Sequence, residues 1–351
     1  MIPVLAAAAL VANTPAPPPA AEQDAAVRVF RAAQAAEARG FRGEVLVGFR
    51  TWMSDTNHPA SDAVRRWRWA SVTKQVVATL VMQQVAAGRI ALDAPLTRYL
   101  PGWRSPNAGA ITVRYLLRHQ SGLPDPDDTA AVDGVPGYYT AGYRGSRDPL
   151  TGYCAGPVKG PAGARWAYNN CDYIVAGALL RAVTGRDWQA LVAERIVAPH
   201  GLTATGAYPA RVATVPGTID GKPEPQIAIE AFDAAGGLYG TAADLWRFDR
   251  ALMTGALLPE ATRAEMWDGQ PALGSIALGQ WSFTAPLKGC TAPVRVVERR
   301  GEIGGVGVRN FILPERDRVL IVFTDRGGQD FGEVWQGKGL SHDLLSAAAC
   351  A

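Results

Sequence analysis

The sequence predicts an α+β fold, an antiparallel β-sheet flanked by helices with a mostly helical subdomain inserted into it. Strand-like runs lie at both ends of the chain, over residues 41–49 and again over 294–297, 310–313 and 319–324. Between them, apolar residues recur at helical spacing over 72–87, 113–118, 172–183 and 188–197. Helical segments over 24–39 and 341–349 bracket the whole, which is the order expected of a sheet built from both termini around a helical insertion. The expected division is a leader and Pro-rich linker over 1–22, an α/β part from 23–70 and 203–351, and a mostly helical part over 71–202.

Taken in order, an apolar stretch over 2–12 and a Pro-rich run over 13–21 precede the first charged side chain, Glu22. The stretch is too short to span a bilayer. It reads as a secretory signal lacking its usual basic start, and a disordered Ala/Pro tail is the alternative. Export to the periplasm or medium is the expectation, with no stable membrane insertion once the leader is removed. The helix over 24–39 is Ala-rich and stops at Gly40. After the strand over 41–49, Thr51 and Trp52 begin a second. An aromatic approach over 67–70 delivers Ser71 to the helix that ends at Gly88. Residues 124–165 are rich in Gly, Pro, Asp and Tyr and exceed an ordinary connection, as a functional loop or lid would. A turn followed by a helix is expected over 236–253.

Composition narrows the function. With 351 residues and 48% hydrophobic side chains the chain can bury a large core. The 35 basic and 32 acidic residues form no long run of either sign, which argues against a nucleic-acid partner. The four cysteines suit an oxidising compartment, and of the three possible pairings Cys154–Cys171 and Cys290–Cys350 are expected. The histidines, His58, His119, His200 and His342, lack metal-ligand spacing, so neither a metal nor another cofactor is expected. His119 is expected to satisfy a local hydrogen bond.

No G-x-S-x-G elbow and no H-E-x-x-H helix is present. Ser71-Val72-Thr73-Lys74 offers another route to a nucleophile, because residues three apart share a helix face and a desolvated lysine amine can activate a serine hydroxyl. By itself the pattern equally describes a capping serine followed by a solvated lysine.

The surroundings of that pair extend the pattern. Arg68-Trp69-Ala70-Ser71-Val72-Thr73-Lys74 is followed by Gly88-Arg89-Ile90-Ala91-Leu92-Asp93, Tyr99-Leu100-Pro101, and Leu116-Leu117-Arg118-His119 with Ser121-Gly122-Leu123-Pro124. Later come Arg165-Trp166-Ala167-Tyr168-Asn169-Asn170 and the run from Gly236 to Leu245. This order resembles the serine β-lactamase-related family, with its class C β-lactamases, D-alanyl-D-alanine carboxypeptidases, D-aminopeptidases and esterases, and implies a β-lactamase/transpeptidase-like fold. The resemblance makes Ser71 the acylated residue, Lys74 its proton partner and Tyr168 a phenolate-type base made usable by a cationic Lys74. Asn170 is implied to hold the substrate amide or the Lys74 amine.

The family's third element, a basic residue, a hydroxyl and a glycine on a strand, corresponds in this reading to Gly301-Glu302-Ile303-Gly304-Gly305. Gly305 then pairs its N–H with that of Ser71 as an oxyanion hole, while Glu302 and Gly304 contact substrate. An acidic Glu302 in place of the basic residue disfavours carboxylate-bearing substrates and favours a neutral ester or amide, or one carrying an amine, unless Arg299, Arg300 or Arg309 supplies the charge. Tyr138, Tyr139, Tyr143 and Tyr153, with Trp166 nearby, either line the mouth of an apolar acyl pocket or pack within the loop.

The expected activity is therefore a serine hydrolase cleaving an ester or amide of a small-molecule or peptide-like substrate through an acyl-enzyme. A β-lactamase or D-alanyl-D-alanine carboxypeptidase is the alternative, and a catalytically silent binding protein of the same fold is the second.

Overall fold

The computed structural model describes residues 17–56 and 64–350, so the expected signal over 2–12 lies outside the described residues. Helix α1 (Ala20–Glu37) begins inside the segment assigned to the linker, because the Pro19 carbonyl accepts the Glu22 and Gln23 N–H groups and starts the helix early. Strand β1 (Gly43–Gly48) follows, then β2 (Met53–Asp55) and the two-residue β3 (Trp67–Arg68). Helix α2 (Val72–Ala86) has twelve of its fifteen residues buried, so it runs through the molecule rather than along its surface. The insertion continues with α3 (Val113–Leu117) and a ribbon of β4 (Ala131–Val132) with β5 (Val135–Pro136). Next comes α4 (Cys171–Thr184), closed by Gly185 in the left-handed conformation. The expected helix over 188–197 is broken into α5 (Trp188–Val192), a π turn over Ala193–Val197, and α6 (Ala198–His200).

The chain then returns to the sheet side. Strand β6 (Gly206–Ala207) precedes a ribbon of β7 (Thr218–Ile219) with β8 (Lys222–Pro223), and β9 (Leu238–Gly240) leads into α7 (Ala242–Met253) and α8 (Glu260–Met266). The last elements are β10 (Trp281–Ala285), β11 (Val294–Ile303), β12 (Val306–Leu313), β13 (Arg318–Thr324) and α9 (Leu340–Ala349). Among the described residues no helix is long and apolar enough to cross a membrane.

The main sheet has the order β10-β11-β12-β13-β1-β2, and every neighbouring pair is antiparallel. The first strand therefore joins the last, with Val45 opposite Val322 and Val47 opposite Leu320. Alternation along these strands sends Val45, Val47, Leu320 and Val322 into the core shared with α1 and α9. Leu46, Ile321 and Phe323 point the other way, into the core shared with the helical insertion. Both disulfides form with the expected pairing, Cys154–Cys171 and Cys290–Cys350.

Two late strands are longer than their apolar runs. β11 continues past Val297 through Glu298-Arg299-Arg300-Gly301-Glu302, because tertiary partners satisfy those charges. Arg300 pairs with Glu298 and Glu333, and Arg299 reaches back to Ser71. Residues 124–165 are a packed segment rather than an open lid. Tyr138 touches Tyr139, Tyr143 and Tyr153, and Arg147 donates to the Tyr138 and Thr140 carbonyls. Tyr138, Tyr143 and Tyr153 thus pack the loop, Tyr139 also reaches Asn170 and Phe232, and Trp166 is the one of that group in the wall of the cleft described below.

Candidate active site

Ser71 stands at the N-terminus of α2 but does not cap it, since its side chain makes no bond to the first-turn amides. The residue before it, Ala70, is fully buried with φ of 44°, a left-handed value that costs a non-glycine residue about 1 kcal/mol or more. This sharp turn directs the Ser71 hydroxyl into a cleft of about 390 Å³. There its Oγ lies 2.7 Å from the Tyr168 hydroxyl and accepts a hydrogen bond from Lys74 Nζ at 3.0 Å. Lys74, fully buried, also donates to Asn170 Oδ1 at 2.7 Å and to the Ala235 carbonyl at 2.8 Å. The solvated lysine and capping serine of the bland reading are both absent.

No carboxylate salt-bridges Lys74 among the described residues. Burial, then the nearby positive charge of Arg299, hold its ammonium well below the ordinary lysine pKa. Burial raises the Tyr168 phenol, with Arg299 and the bond to Ser71 pulling the other way. Burial thus disfavours the charged form of both Lys74 and Tyr168, and Arg299 is the cation that lowers the phenol. His119, buried, bonds Asp172 at 2.9 Å and lies with its ring 4.6 Å from that of Tyr168. Burial pushes His119 down and Asp172 up, and the pair lies behind Tyr168.

The strand that passes Ser71 is β11, in a different register from the expected one. A Cβ on Gly301 would lie 2.6 Å from the Ser71 nitrogen and 3.0 Å from the Trp69 carbonyl oxygen, so only glycine fits. Arg299, two residues earlier on the same face, is fully buried and donates from Nε to the Ser71 carbonyl at 2.8 Å. The basic position beside the serine is therefore held by Arg299, and the glycine is Gly301. Gly304 and Gly305 instead form the two-residue turn between β11 and β12, and Gly304 takes φ of 57°. The Gly305 N–H donates to Glu224 Oε2 at 2.9 Å, and a Cβ on Gly304 would strike that carboxylate. Neither lines the cleft. Glu224 is in turn held by Arg68, whose Nη1 lies 2.7 Å from Oε2 and 3.1 Å from the Ile303 carbonyl.

The same hairpin turns an amide of β11 outward. Ile303 and Val306 close the two-residue turn as a hydrogen-bonded pair, so the alternation of an antiparallel ladder leaves Glu302 and Gly307 as a pair without mutual bonds. The Glu302 N–H then points to the outer edge of β11, which β10 leaves free beyond the Trp281–Glu298 pair and along which the cleft opens. The Glu302 side chain is exposed at the cleft rim, near Gly328 N. Asn170 is buried, and its amide nitrogen donates to Asp127 Oδ1 and the Tyr139 hydroxyl.

Sequence reasoning missed Asp127, Phe232 and Trp281 in this cleft, and it named Arg299 only as a charge that could offset Glu302 and Gly301 only as the first residue of the expected motif. The Arg299-Arg300-Gly301 triplet carried a usable signal, a basic residue two before a glycine. A larger cavity, about 770 Å³, is lined by Leu100, Arg181, Trp188 and Asp233 and contains none of Ser71, Lys74 or Tyr168.

A protein-family model described as Beta-lactamase matches residues 13–340. The chain belongs to the beta-lactamase family. Its family relatives include esterase EstB of Burkholderia gladioli, 29% identical over 307 residues that cover 74% of this chain and 76% of the esterase. Penicillin-binding protein 4 of Amycolatopsis lactamdurans is 30% identical over 210 residues, 55% of this chain, and the match spans about half (52%) of that relative. Among solved structures, D-amino acid amidase from Ochrobactrum anthropi SV3 complexed with D-phenylalanine superposes with a TM-score of 0.74 at 21% identity, over 92% of this chain and 98% of the amidase. A D-stereospecific amidohydrolase from Streptomyces sp. gives 0.69 at 24% identity, over 92% and 98%. These neighbours share the α+β fold with its antiparallel sheet, and the family is one of serine hydrolases.

Proposed function

We propose that the protein hydrolyses an ester or amide through an acyl-enzyme on Ser71. The observation that carries this reading is the hydrogen-bonded set of Ser71 Oγ, Lys74 Nζ and Tyr168 OH, with Lys74 buried and shifted toward its neutral amine. In the reading, neutral Lys74 takes the Ser71 proton as Oγ attacks the carbonyl carbon. The developing oxyanion is held by the N–H groups of Ser71 and Glu302, each such donor being worth about 3–4 kcal/mol. The Tyr168 hydroxyl gives its proton to the leaving oxygen or nitrogen and takes back from Lys74 the proton lost by Ser71, and water then releases the acyl group by the reverse sequence. His119 and Asp172 keep Tyr168 in position. Two disulfides and the apolar N-terminal stretch support a periplasmic or secreted location.

A second reading, a penicillin-binding carboxypeptidase or β-lactamase, is favoured by Arg299. It is a fully buried cation whose Nη1 has no hydrogen-bond partner and which borders the cleft, so the charge argument against carboxylate substrates loses its basis. The deciding experiment is intact mass after incubation with a fluorophosphonate and, separately, a penicillin, for the native protein and Ser71→Ala, alongside turnover of a p-nitrophenyl ester. A Ser71-dependent fluorophosphonate adduct with ester turnover is the expected result. A stable or rapidly cleared penicillin adduct would move the reading to the second activity, and no adduct with either reagent would leave a binding protein.

A further inference from the structure

Two side-chain groups meet at Ser71. In one, Asn170 contacts Asp127 and Tyr139, and the Tyr139 ring stacks on Phe232 with centroids 3.7 Å apart. In the other, the Arg299 guanidinium lies 5.7 Å from the Tyr168 ring and 5.3 Å from the Trp281 ring, and Arg300 lies 5.2 Å from Trp281 and 5.6 Å from Trp335. Trp166, two residues before Tyr168, stands 6.4 Å from Trp281 with the ring planes at 59°. Its indole is 37% exposed, and of the large exposed apolar side chains among the described residues it is the one in the wall of this cleft. Isolated exposed apolar residues need no explanation, but a pair of indoles converging beside a reactive serine does.

We propose that Trp166 and Trp281 form the leaving-group subsite and select a flat aromatic leaving group, the aryl alcohol of an ester or the aryl amine of an amide. The inference rests on the reading of the cleft as a hydrolase site. As the acyl–Oγ bond forms and the bond from the carbonyl carbon to the leaving atom breaks, Ser71 loses its proton to Lys74 and the leaving atom gains one from Tyr168, which Lys74 restores. The leaving group therefore departs along the wall that Tyr168 belongs to. Trp166 is joined to that wall through the chain, and Trp281 through Arg299. Two indoles inclined at 59° offer a planar ring one face to stack on and one edge to meet, the two arrangements aromatic pairs favour. The two guanidiniums against Trp281 hold its ring in place before any ligand arrives, so little order remains to be imposed on binding. The position of Trp281 at the first residue of β10, opposite Glu298, sets it where β11 runs on unpaired toward Ser71.

The test compares kcat/KM for 2-naphthyl butyrate and ethyl butyrate, followed by butyrate release, in the native protein, Trp166→Ala, Trp281→Ala and the two Trp→Phe variants. The aryl-to-alkyl ratio is expected to fall about tenfold in each alanine variant and to recover in the phenylalanine variants. An unchanged ratio overturns the subsite. Calorimetric titration of Ser71→Ala with 2-naphthol, with and without each Trp→Ala change, separates this inference from the activity it rests on. Binding weakened about tenfold by either change supports the subsite even without turnover, in which case the hydrolase reading alone fails. Binding indifferent to both indoles overturns the subsite even if esters are hydrolysed.

Discussion

Gly301 passes Ser71 so closely that a side chain on it would come within 2.6 Å of the Ser71 nitrogen. Two segments far apart in sequence are thereby packed backbone to backbone, and the buried Arg299 ties the same strand to the Ser71 carbonyl. Whatever the substrate, this contact brings the outward-facing edge of β11 alongside the serine hydroxyl.

It follows that Gly301→Ala lowers kcat/KM by about a hundredfold or more, since displacing the strand removes the second oxyanion donor. The atoms a Cβ would meet are the Ser71 nitrogen, the Trp69 carbonyl oxygen and the Ala70 Cβ, all fixed to the main chain and unable to swing aside. Circular dichroism melting alongside p-nitrophenyl ester kinetics checks that the folded population persists while activity falls.

Arg299 should set the pH dependence. The active form in the proposed mechanism has neutral Lys74, so kcat/KM rises as pH increases through the Lys74 pKa. Burial and then Arg299 depress that pKa, which moves the rising limb to lower pH. Removing the cation in Arg299→Gln lets the Lys74 pKa climb, and the rising limb should shift to higher pH. The Tyr168 phenol loses the cation that lowers it, so any alkaline limb due to Tyr168 shifts upward as well. A pH–kcat/KM profile that does not move would remove Arg299 from control of the pair.

Glu44 gives a stability prediction independent of the cleft. Burial raises its carboxyl to about 7, although it accepts a hydrogen bond from Trp67 Nε1 at 2.7 Å. A carboxyl whose folded pKa lies above its unfolded value of 4.5 favours the fold while protonated, and that advantage is lost as pH rises from 4.5 through 7. Glu44→Gln keeps an acceptor for Trp67 without the buried charge. It should leave stability near its native value at pH 4.5 and raise it at pH 8 by on the order of 3 kcal/mol. Urea unfolding at the two pH values measures the difference.

Most elements were legible because their signals are local. The 3.6-residue spacing of Val72, Val76, Leu80 and their neighbours marks α2, and alternation or apolar runs mark β1 and β13. The charged stretch Glu298–Arg300 of β11 was not legible as strand, since Glu298 and Arg300 are accommodated by each other and by tertiary partners such as Glu333. Nor was β10, a short edge strand whose assignment depends on its pairing with Val294–Glu298. The start of α1 was missed because the Pro-rich run conceals a helix N-terminus at Pro19.

By itself the sequence determined the fold class, the family and the nearness of Ser71 to Lys74, because helical periodicity and a three-residue spacing are properties of contiguous chain. Only the tertiary structure decided which residues of β11 face the serine. Arg299 and Ser71 are 228 residues apart, and their register depends on the two-residue turn at Gly304, the Arg68–Glu224 pair that holds it, and the ladder to β12. A shift of three residues along that strand exchanges an acidic neighbour for a buried guanidinium and reverses the charge offered to a substrate. Local pattern offers both registers, one marked by the basic residue two before Gly301 and one by the Gly304-Gly305 pair, and the choice between them is made only by the backbone that must pass each glycine.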